Sequence, residues 1–322
     1  MQPSQSSTPT GIPTSALQQR RSRVQCITDS LAVKAGCGDC FQLCGERLRS
    51  SFDDRGYTIL ERAVPNDLEF SALYDDYKDA FHSESGSDTA RELNDEVSAW
   101  TSLASNAVAY SGAPFGFRDR RERTDKEEKS YFQYASPLGS FLRSVRGGVF
   151  DRSFALRALT RRLDELVTHA DRAFVSVLSS LASVYPELRN FHHLIDARSV
   201  MIKVLAYFPS EDWATGKHFD KSLLTLVMHA TDVKSDKFVI GPFSQDGTSK
   251  FLETPDRYVS DRTKPGKALI FPGMMWEKLG VPSLKPSPHA VMPHRGPGIR
   301  FSVIAFLLAP NLNLRDLFSR SA

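Results

Sequence analysis

The 322-residue chain has no cysteine after Cys44. Its four cysteines, Cys26, Cys37, Cys40 and Cys44, share one N-terminal stretch, so the rest of the chain holds neither a disulfide framework nor a thiolate metal site of its own. "CGDCFQLC" contains one CxxC, and with Cys26 four thiols are available to zinc, but a paired CxxC…CxxC is missing. Reduced thiols on a helix are the expectation there. No apolar run approaches the length of a membrane span, and "SVIAFLLAP" (Ser302 to Pro310) has the length of a strand. The first residues lack the apolar core of a secretion signal. Neither sign of charge dominates: 41 basic against 38 acidic residues leave a net charge of +3, which argues against a nucleic-acid or anionic-membrane partner. The densest charge run, "RDRRERTDKEEK" (Arg118 to Lys129), mixes its signs and reads as a solvated loop or helix face. There is no GxGxxG, no Walker loop and no internal repeat.

What is present is an ordinary globular composition, 41% hydrophobic and 25% charged, enough for a sizeable core. Residues 1 to about 28 are rich in Ser, Thr, Gln and Pro, carry Arg20, Arg21 and Arg23, and have no acid before Asp29. That is the composition of a disordered tail, and it shares its Ser/Arg bias with transit peptides. The expected organisation is a tail over 1–30 and a single domain over 31–322. Within it, 31–195 is mostly helical cap and scaffold helix, and 196–310 is the core. A cytoplasmic monomer is expected, with organellar targeting by the tail as the variant.

Tyr57 to Leu60 is a short β-type run. "NDLEFSALYDDYKDAF" reads as a helix with Asn66 as N-cap, and residues 86 to 150 read as loops and short helices. From Ser153 the period changes. Leu159, Leu163, Leu166, Ala170, Phe174, Val177, Leu181 and Val184 recur at three or four residues, one apolar face of a long helix that Pro186 ends. After Arg198 the pattern becomes short β-rich runs between Gly, Pro and Asp breaks: "SVMIKVLAYF", "SLLTLVMHA", "DKFVIGPF", "KALIFPG", "SPHAV" and "RFSVIAFLLA". Helices followed by strands predict an α+β protein with a sandwich or jelly-roll core.

One stretch raises a chemical question. In "GKHFDKSLLTLVMHA" (Gly216 to Ala230), His218 and Asp220 stand two residues apart, so an extended backbone points both to one side and Phe219 to the other. An imidazole and a carboxylate need a third ligand. His82 and His169 fall in helical regions, and the His192–His193 pair points its rings apart. His229 lies too far along its strand. His289 and His294, in "SPHAVMPHRGPGIRFSV", remain. Two His and one carboxylate, with open positions for O2 and a co-substrate, is the arrangement of non-haem Fe(II) oxygenases. Arg300 and Ser302 share one face of the last strand, a guanidinium fork and a hydroxyl suited to a carboxylate. Lys203 and Arg198, in or beside the first core strand, are further candidates for a substrate carboxylate, with structural ion pairs as the simpler role. His294 and Arg295 read as a polar surface turn.

These residues resemble the isopenicillin N synthase-like 2-oxoglutarate/Fe(II)-dependent dioxygenases. The family's pattern is HxD, several tens of residues, His, ten residues, and Arg-x-Ser. Here it is met by His218-Phe219-Asp220, His289 and Arg300-Phe301-Ser302, and this spacing selects His289 over His294. "HFDKSLLTLVMHATD", "PGKALIFPGMMWEKLG", "EEKSYFQYA" and "RGYTIL" are similar to the family's flanking text, and the likeness spans roughly residues 50 to 310. The resemblance implies a distorted double-stranded β-helix (jelly-roll) core with N-terminal and packing helices. It implies Fe(II) on His218, Asp220 and His289, and 2-oxoglutarate held at its distal carboxylate by Arg300 and Ser302. A tyrosine before HxD often joins that contact. "LAYFP" offers Tyr207, although alignment on the proline places Phe208 there, and Ala206 replaces the family's Asn. The implied reaction consumes O2 and 2-oxoglutarate, releases succinate and CO2, and hydroxylates, desaturates or cyclises a small, amino-acid-derived metabolite. Two alternatives stay open: an iron oxidase of the isopenicillin N synthase type that does without 2-oxoglutarate, and a catalytically inactive jelly-roll binding protein.

Overall fold

The computed structural model describes residues 39–60, 63–64, 69–104, 115–121, 128–190, 199–231, 238–241, 252–253, 267–281 and 283–308. Cys26, Cys37, Asn66, His192, His193 and Arg198 lie outside these, and Cys40 and Cys44 are described in backbone only. No described helix is long and apolar enough to cross a membrane.

Seven α-helices fall among the described residues: α1 (Asp39–Arg55), α2 (Phe70–Phe81), α3 (Gly86–Ala104), α4 (Ser136–Ser144), α5 (Val149–Arg152), α6 (Phe154–Val184) and the short α7 (Met275–Lys278). The long helix begins where the sequence placed it. Ser153 caps α6 by accepting the Leu156 amide, and the predicted stripe from Leu159 to Leu181 is buried. The helix ends at Val184, with Tyr185 as C-cap before Pro186, whose ring and missing N–H cannot continue it. α2 starts at Phe70 with Glu69 at the cap and no side-chain capping bond, later than the expected start at Asn66. Residues 86 to 150 differ more from expectation. They contain the 19-residue α3, which buries Ala90, Leu93, Val97 and Trp100, and two sheet strands. The charge run is likewise no simple solvated loop, because Arg118 and Lys129 lie on those strands.

The strands are β1 (Thr58–Leu60), β2 (Gly116–Asp119), β3 (Lys129–Tyr134), β4 (Val200–Tyr207), β5 (Thr215–His218), β6 (Leu224–Ala230), β7 (Phe238–Ile240), β8 (Leu252–Glu253), β9 (Ala268–Pro272), β10 (His289–Val291) and β11 (Arg300–Leu307). They form a seven-stranded sheet, β1-β9-β6-β11-β4-β3-β2, and a four-stranded sheet, β5-β10-β7-β8, with every pairing antiparallel. β1, β2 and β3 thus join the large sheet from the part of the chain expected to be mostly helical.

Alternation sorts the large sheet into two faces. Phe132, Val204, Ala206, Leu226, Phe301 and Val303 belong to the core shared with the helices. Tyr131, Leu205, Tyr207, Val227, Leu269 and Phe271 meet Phe238, Ile240 and Val291 of the small sheet in a second core. Two antiparallel sheets closed over an interior of this kind are a jelly roll, as the sequence predicted.

One irregularity decides a side-chain direction. β6 pairs with β11 as Val227↔Ile304, but His229↔Val303 and Ala230↔Ser302. Met228 is therefore an extra residue, a β-bulge. It turns His229 to the helix side, where its ring stacks on Phe70 at 4.2 Å and its Nδ1 meets the Tyr74 hydroxyl at 2.6 Å.

Candidate metal centre

The three expected ligands converge. One ligand atom from each of His218, Asp220 and His289 lies within 4.8 Å of the others. His218 Nε2 is 3.5 Å from Asp220 Oδ1, and His289 Nε2 is 3.3 Å from Asp220 Oδ2. Adjacent ligands on an octahedron with bonds of about 2.1 Å stand roughly 3.0 Å apart, so a small contraction fits one cation between them. Cross-strand pairing brings the imidazoles together. His218 ends β5, His289 opens β10, and the two are register partners with ring centroids 4.2 Å apart.

The tautomers follow from hydrogen bonding. His218 Nδ1 lies 2.8 Å from the Gly216 carbonyl and His289 Nδ1 lies 3.1 Å from the Ser287 carbonyl. A carbonyl only accepts, so each Nδ1 carries a proton and donates it. Both Nε2 atoms then turn toward the carboxylate and are left free to coordinate, the orientation that a metal-binding imidazole needs.

Asp220 is not on the strand with His218, since β5 ends at His218. It sits in the irregular stretch between β5 and β6 and is fixed by other means. Its carbonyl accepts the Met274 amide at 2.9 Å, and its Oδ2 accepts the Thr225 hydroxyl at 2.7 Å. Burial raises the cost of ionising Asp220, but the facing imidazoles, His289 above all, hold its carboxyl well below the usual range. His289 shifts up: burial alone would lower it, and the Asp220 carboxylate outweighs that. Side-chain exposure falls from 38% at His218 through 12% at Asp220 to 5% at His289, so the site opens on the His218 side.

Arg300 and Ser302 are buried on the inner face of β11. Tyr207 is Arg300's register partner on β4, 2% exposed, with the guanidinium 5.3 Å from its ring centroid. Phe208, the alternative from alignment, lies past the end of β4 with His82 at 5.6 Å and the Arg121 guanidinium 3.8 Å from its ring, away from the interior. Tyr207 is thus the aromatic beside Arg300. Lys203 stands on the same inner face, its Nζ 4.1 Å from the Tyr131 ring centroid.

Other candidates part from the site. His229 is turned away by the bulge. His82 hydrogen-bonds Ser130 on the helix side. The expectation of a surface turn holds for Arg295, which pairs with Glu211 at 2.9 Å. It fails for His294, which is 1% exposed and donates from Nε2 to the Gly298 carbonyl. The closing segment 294–298 folds its polar ring inward to satisfy its own backbone.

Sequence reasoning missed three contributors. Thr225 orients Asp220. Gly273 lies so close to Ser222 that an added Cβ would stand 2.2 Å from the Ser222 carbonyl oxygen. Lys129, 5% exposed, reaches from β3 to the Ala214 carbonyl at 3.3 Å and Thr215 Oγ1 at 2.9 Å. Only alternation within "KSYFQY" could have flagged Lys129.

No protein-family model matches the chain, and no curated protein does. Solved structures do match. A full-length Neurospora crassa protein in complex with alpha-KG and 5-formyluracil superposes with a TM-score of 0.59 at 12% identity, over 88% of this chain and 83% of that one. The rice dioxygenase for auxin oxidation gives 0.54 at 16% identity, over 86% and 81%. Its Arabidopsis thaliana counterpart, a complex with 2-oxoglutarate, gives 0.53 at 12% identity, over 84% and 89%. The fold is the double-stranded β-helix that 2-oxoglutarate/Fe(II) oxygenases share.

Proposed function

We propose that the protein is an Fe(II)/2-oxoglutarate-dependent dioxygenase that oxidises a small, amino-acid-derived molecule. The observation that carries this reading is the convergence of His218, Asp220 and His289 with both Nδ1 atoms bonded to carbonyls. Two neutral imidazole nitrogens and one carboxylate oxygen suit Fe(II), and the absence of thiolate among them argues against a structural zinc. Bound iron would supply the O2 chemistry that couples decarboxylation of 2-oxoglutarate to oxidation of the second substrate.

The chain's own residues position and shield. His218, Asp220 and His289 would hold the cation and supply three of its ligands. Thr225 keeps the Asp220 carboxylate turned toward the imidazoles. Arg300 offers its fork, and Ser302 its hydroxyl, to the distal carboxylate of the co-substrate, with Tyr207 as the flanking donor. Val227, Leu269 and Phe271 line the space between the sheets with apolar surface and limit water there.

Anaerobic titration with Fe(II) and 2-oxoglutarate tests the reading. The wild type should develop the visible charge-transfer band, and His218→Ala should lose it. A wild type without the band, or a variant that keeps it, overturns the assignment. Substrate oxidation without 2-oxoglutarate would instead identify an oxidase, and binding without turnover a jelly-roll receptor.

A further inference from the structure

β5 carries the most exposed of the three ligands and is the end strand of the small sheet. It has four residues and pairs with β10 alone among the described strands. Its register is irregular. Thr215 stands opposite Val291 and His218 opposite His289, so three steps along β5 meet two along β10. One residue of β5 is therefore extra, another bulge. In a regular strand, residues three apart face opposite sides. Val291 and His289 are two apart and share a face, and residues opposite one another in an antiparallel pair share it too. The bulge thus turns Thr215 and His218 to the same side, where Val291 meets the large sheet.

A short edge strand with a bulge is weakly specified by its ladder. Gly216 lies inside the bulge, and its carbonyl accepts the His218 Nδ1 proton at 2.8 Å. The direction of the His218 ring therefore follows the shape of the bulge.

Lys129 reaches this bulge from the opposite sheet. It opens β3, which is held between β2 and β4. Its Nζ donates to Thr215 Oγ1 at 2.9 Å and to the Ala214 carbonyl at 3.3 Å. Thr215 Oγ1 donates its own proton to the same carbonyl at 2.8 Å, so toward the ammonium it can only accept. The three groups close a triangle around the first residue of β5. An ammonium is costly to bury unless it is hydrogen-bonded, and these bonds both offset that cost and tie β5 to the large sheet.

We infer that Lys129 is a positioning residue of the metal centre. Through Thr215 it fixes the bulge of β5, and through the Gly216 carbonyl the bulge sets the tautomer and direction of His218. This rests on the reading of His218, Asp220 and His289 as metal ligands and extends their support to the opposite sheet. His218 needs that support more than His289, whose ring Phe238 and Phe271 enclose.

The test uses the full-length protein with Lys129→Met, Thr215→Val, Thr215→Ser and the double variant of the first two. Proton–nitrogen correlation spectra of the metal-free protein at about pH 9, above the ordinary imidazole range, read the tautomer of each histidine. His218 should carry its proton on Nδ1 in the wild type and in Thr215→Ser. It should populate both tautomers in Lys129→Met and Thr215→Val, while His289 keeps its own throughout. Co(II) affinity should fall about ten-fold or more in those two variants. The double variant should lose little beyond the worse single, because both remove one contact, and this cycle separates that contact from any other that Lys129 makes. A role in stability alone would lower the unfolding midpoint and leave the tautomer and the affinity of the folded protein in place. The inference is overturned if either folded single variant keeps both the His218 tautomer and the Co(II) midpoint, if Thr215→Ser loses as much as Thr215→Val, or if the two losses add. Should Lys129→Met not fold, the comparison of Thr215→Val with Thr215→Ser decides. A wild type that binds no Co(II) defeats the metal-centre reading itself, a separate outcome, and the tautomers then still decide whether Lys129 and Thr215 hold His218.

Discussion

Thr225 Oγ1 donates a 2.7 Å hydrogen bond to Asp220 Oδ2, the oxygen that lies 3.3 Å from His289 Nε2. One hydroxyl therefore sets which way the only carboxylate among the three ligands points. Ser222 Oγ, 3.0 Å away, holds the hydroxyl in turn. Asp220 lies past the end of β5 and has no ladder of its own to orient it, so this chain of hydroxyls takes over that role.

Thr225→Val keeps the shape of the side chain and removes the donor. Metal affinity should fall about 10- to 100-fold, the usual cost of losing a group that orients a ligand. Thermal stability should change little. Titration with Fe(II) or a spectroscopic substitute such as Co(II) reads the affinity, and an unchanged midpoint would remove Thr225 from the site.

Gly273→Ala acts on the same turn through the backbone. The Gly273 amide donates to the Leu223 carbonyl at 2.9 Å, and the next amide, of Met274, donates to Asp220. A methyl 2.2 Å from the Ser222 oxygen must push this crossing apart. Stability should drop by about 1–3 kcal/mol, as in overpacked cores, and metal affinity should drop with it. Chemical denaturation in the metal-free state, with metal titration alongside, checks both.

Arg300→Gln should raise the 2-oxoglutarate midpoint about 100-fold, since a charged fork contributes more than one strong hydrogen bond. Tyr207→Phe, which keeps the ring beside Arg300, should cost less than about ten-fold. Iron affinity without co-substrate should hold in both. Equal losses from the two variants would assign Tyr207 a larger share than its position beside the guanidinium implies.

His229 gives a pH dependence unrelated to the metal. Burial pushes its imidazole down to about 4, so the folded protein keeps it neutral where the unfolded chain protonates it. Between pH 6.5 and 4 the unfolded state binds the extra proton, so stability falls as pH falls through that window. The loss reaches about 3 kcal/mol at its lower end. The proposed sign is checked by urea unfolding across this range: His229→Gln should show a shallower decline than wild type, both without metal.

Much of this site was legible in the sequence because its residues sit at fixed separations. HxD, the later histidine and Arg-x-Ser are one-dimensional marks of places that strand pairing brings together, and His218↔His289 is such a pair. The long helix was legible for the same reason: Ser153, the apolar stripe and Pro186 are local signals. β3 was not. Its six residues are all buried, yet Lys129, Ser130 and Gln133 break any apolar run, since they satisfy polar partners inside the fold. The bulge at Met228 was equally invisible, because "LTLVMHA" alternates no differently with or without an extra residue. The direction of Asp220 depended on Thr225, five positions on, which reads from sequence as an ordinary strand residue.

The graded exposure of the three ligands has a kinetic consequence. His289 is enclosed by Phe238 and Phe271, at 5.6 and 4.7 Å between ring centroids, whereas His218 ends an edge strand and shows over a third of its side-chain surface. His218, whose ring can swing, would release a bound cation first and His289 last, and on loading the buried pair would hold it before the outer imidazole closed the site. Chelator-driven loss should therefore proceed at a rate set by the motion of a single side chain.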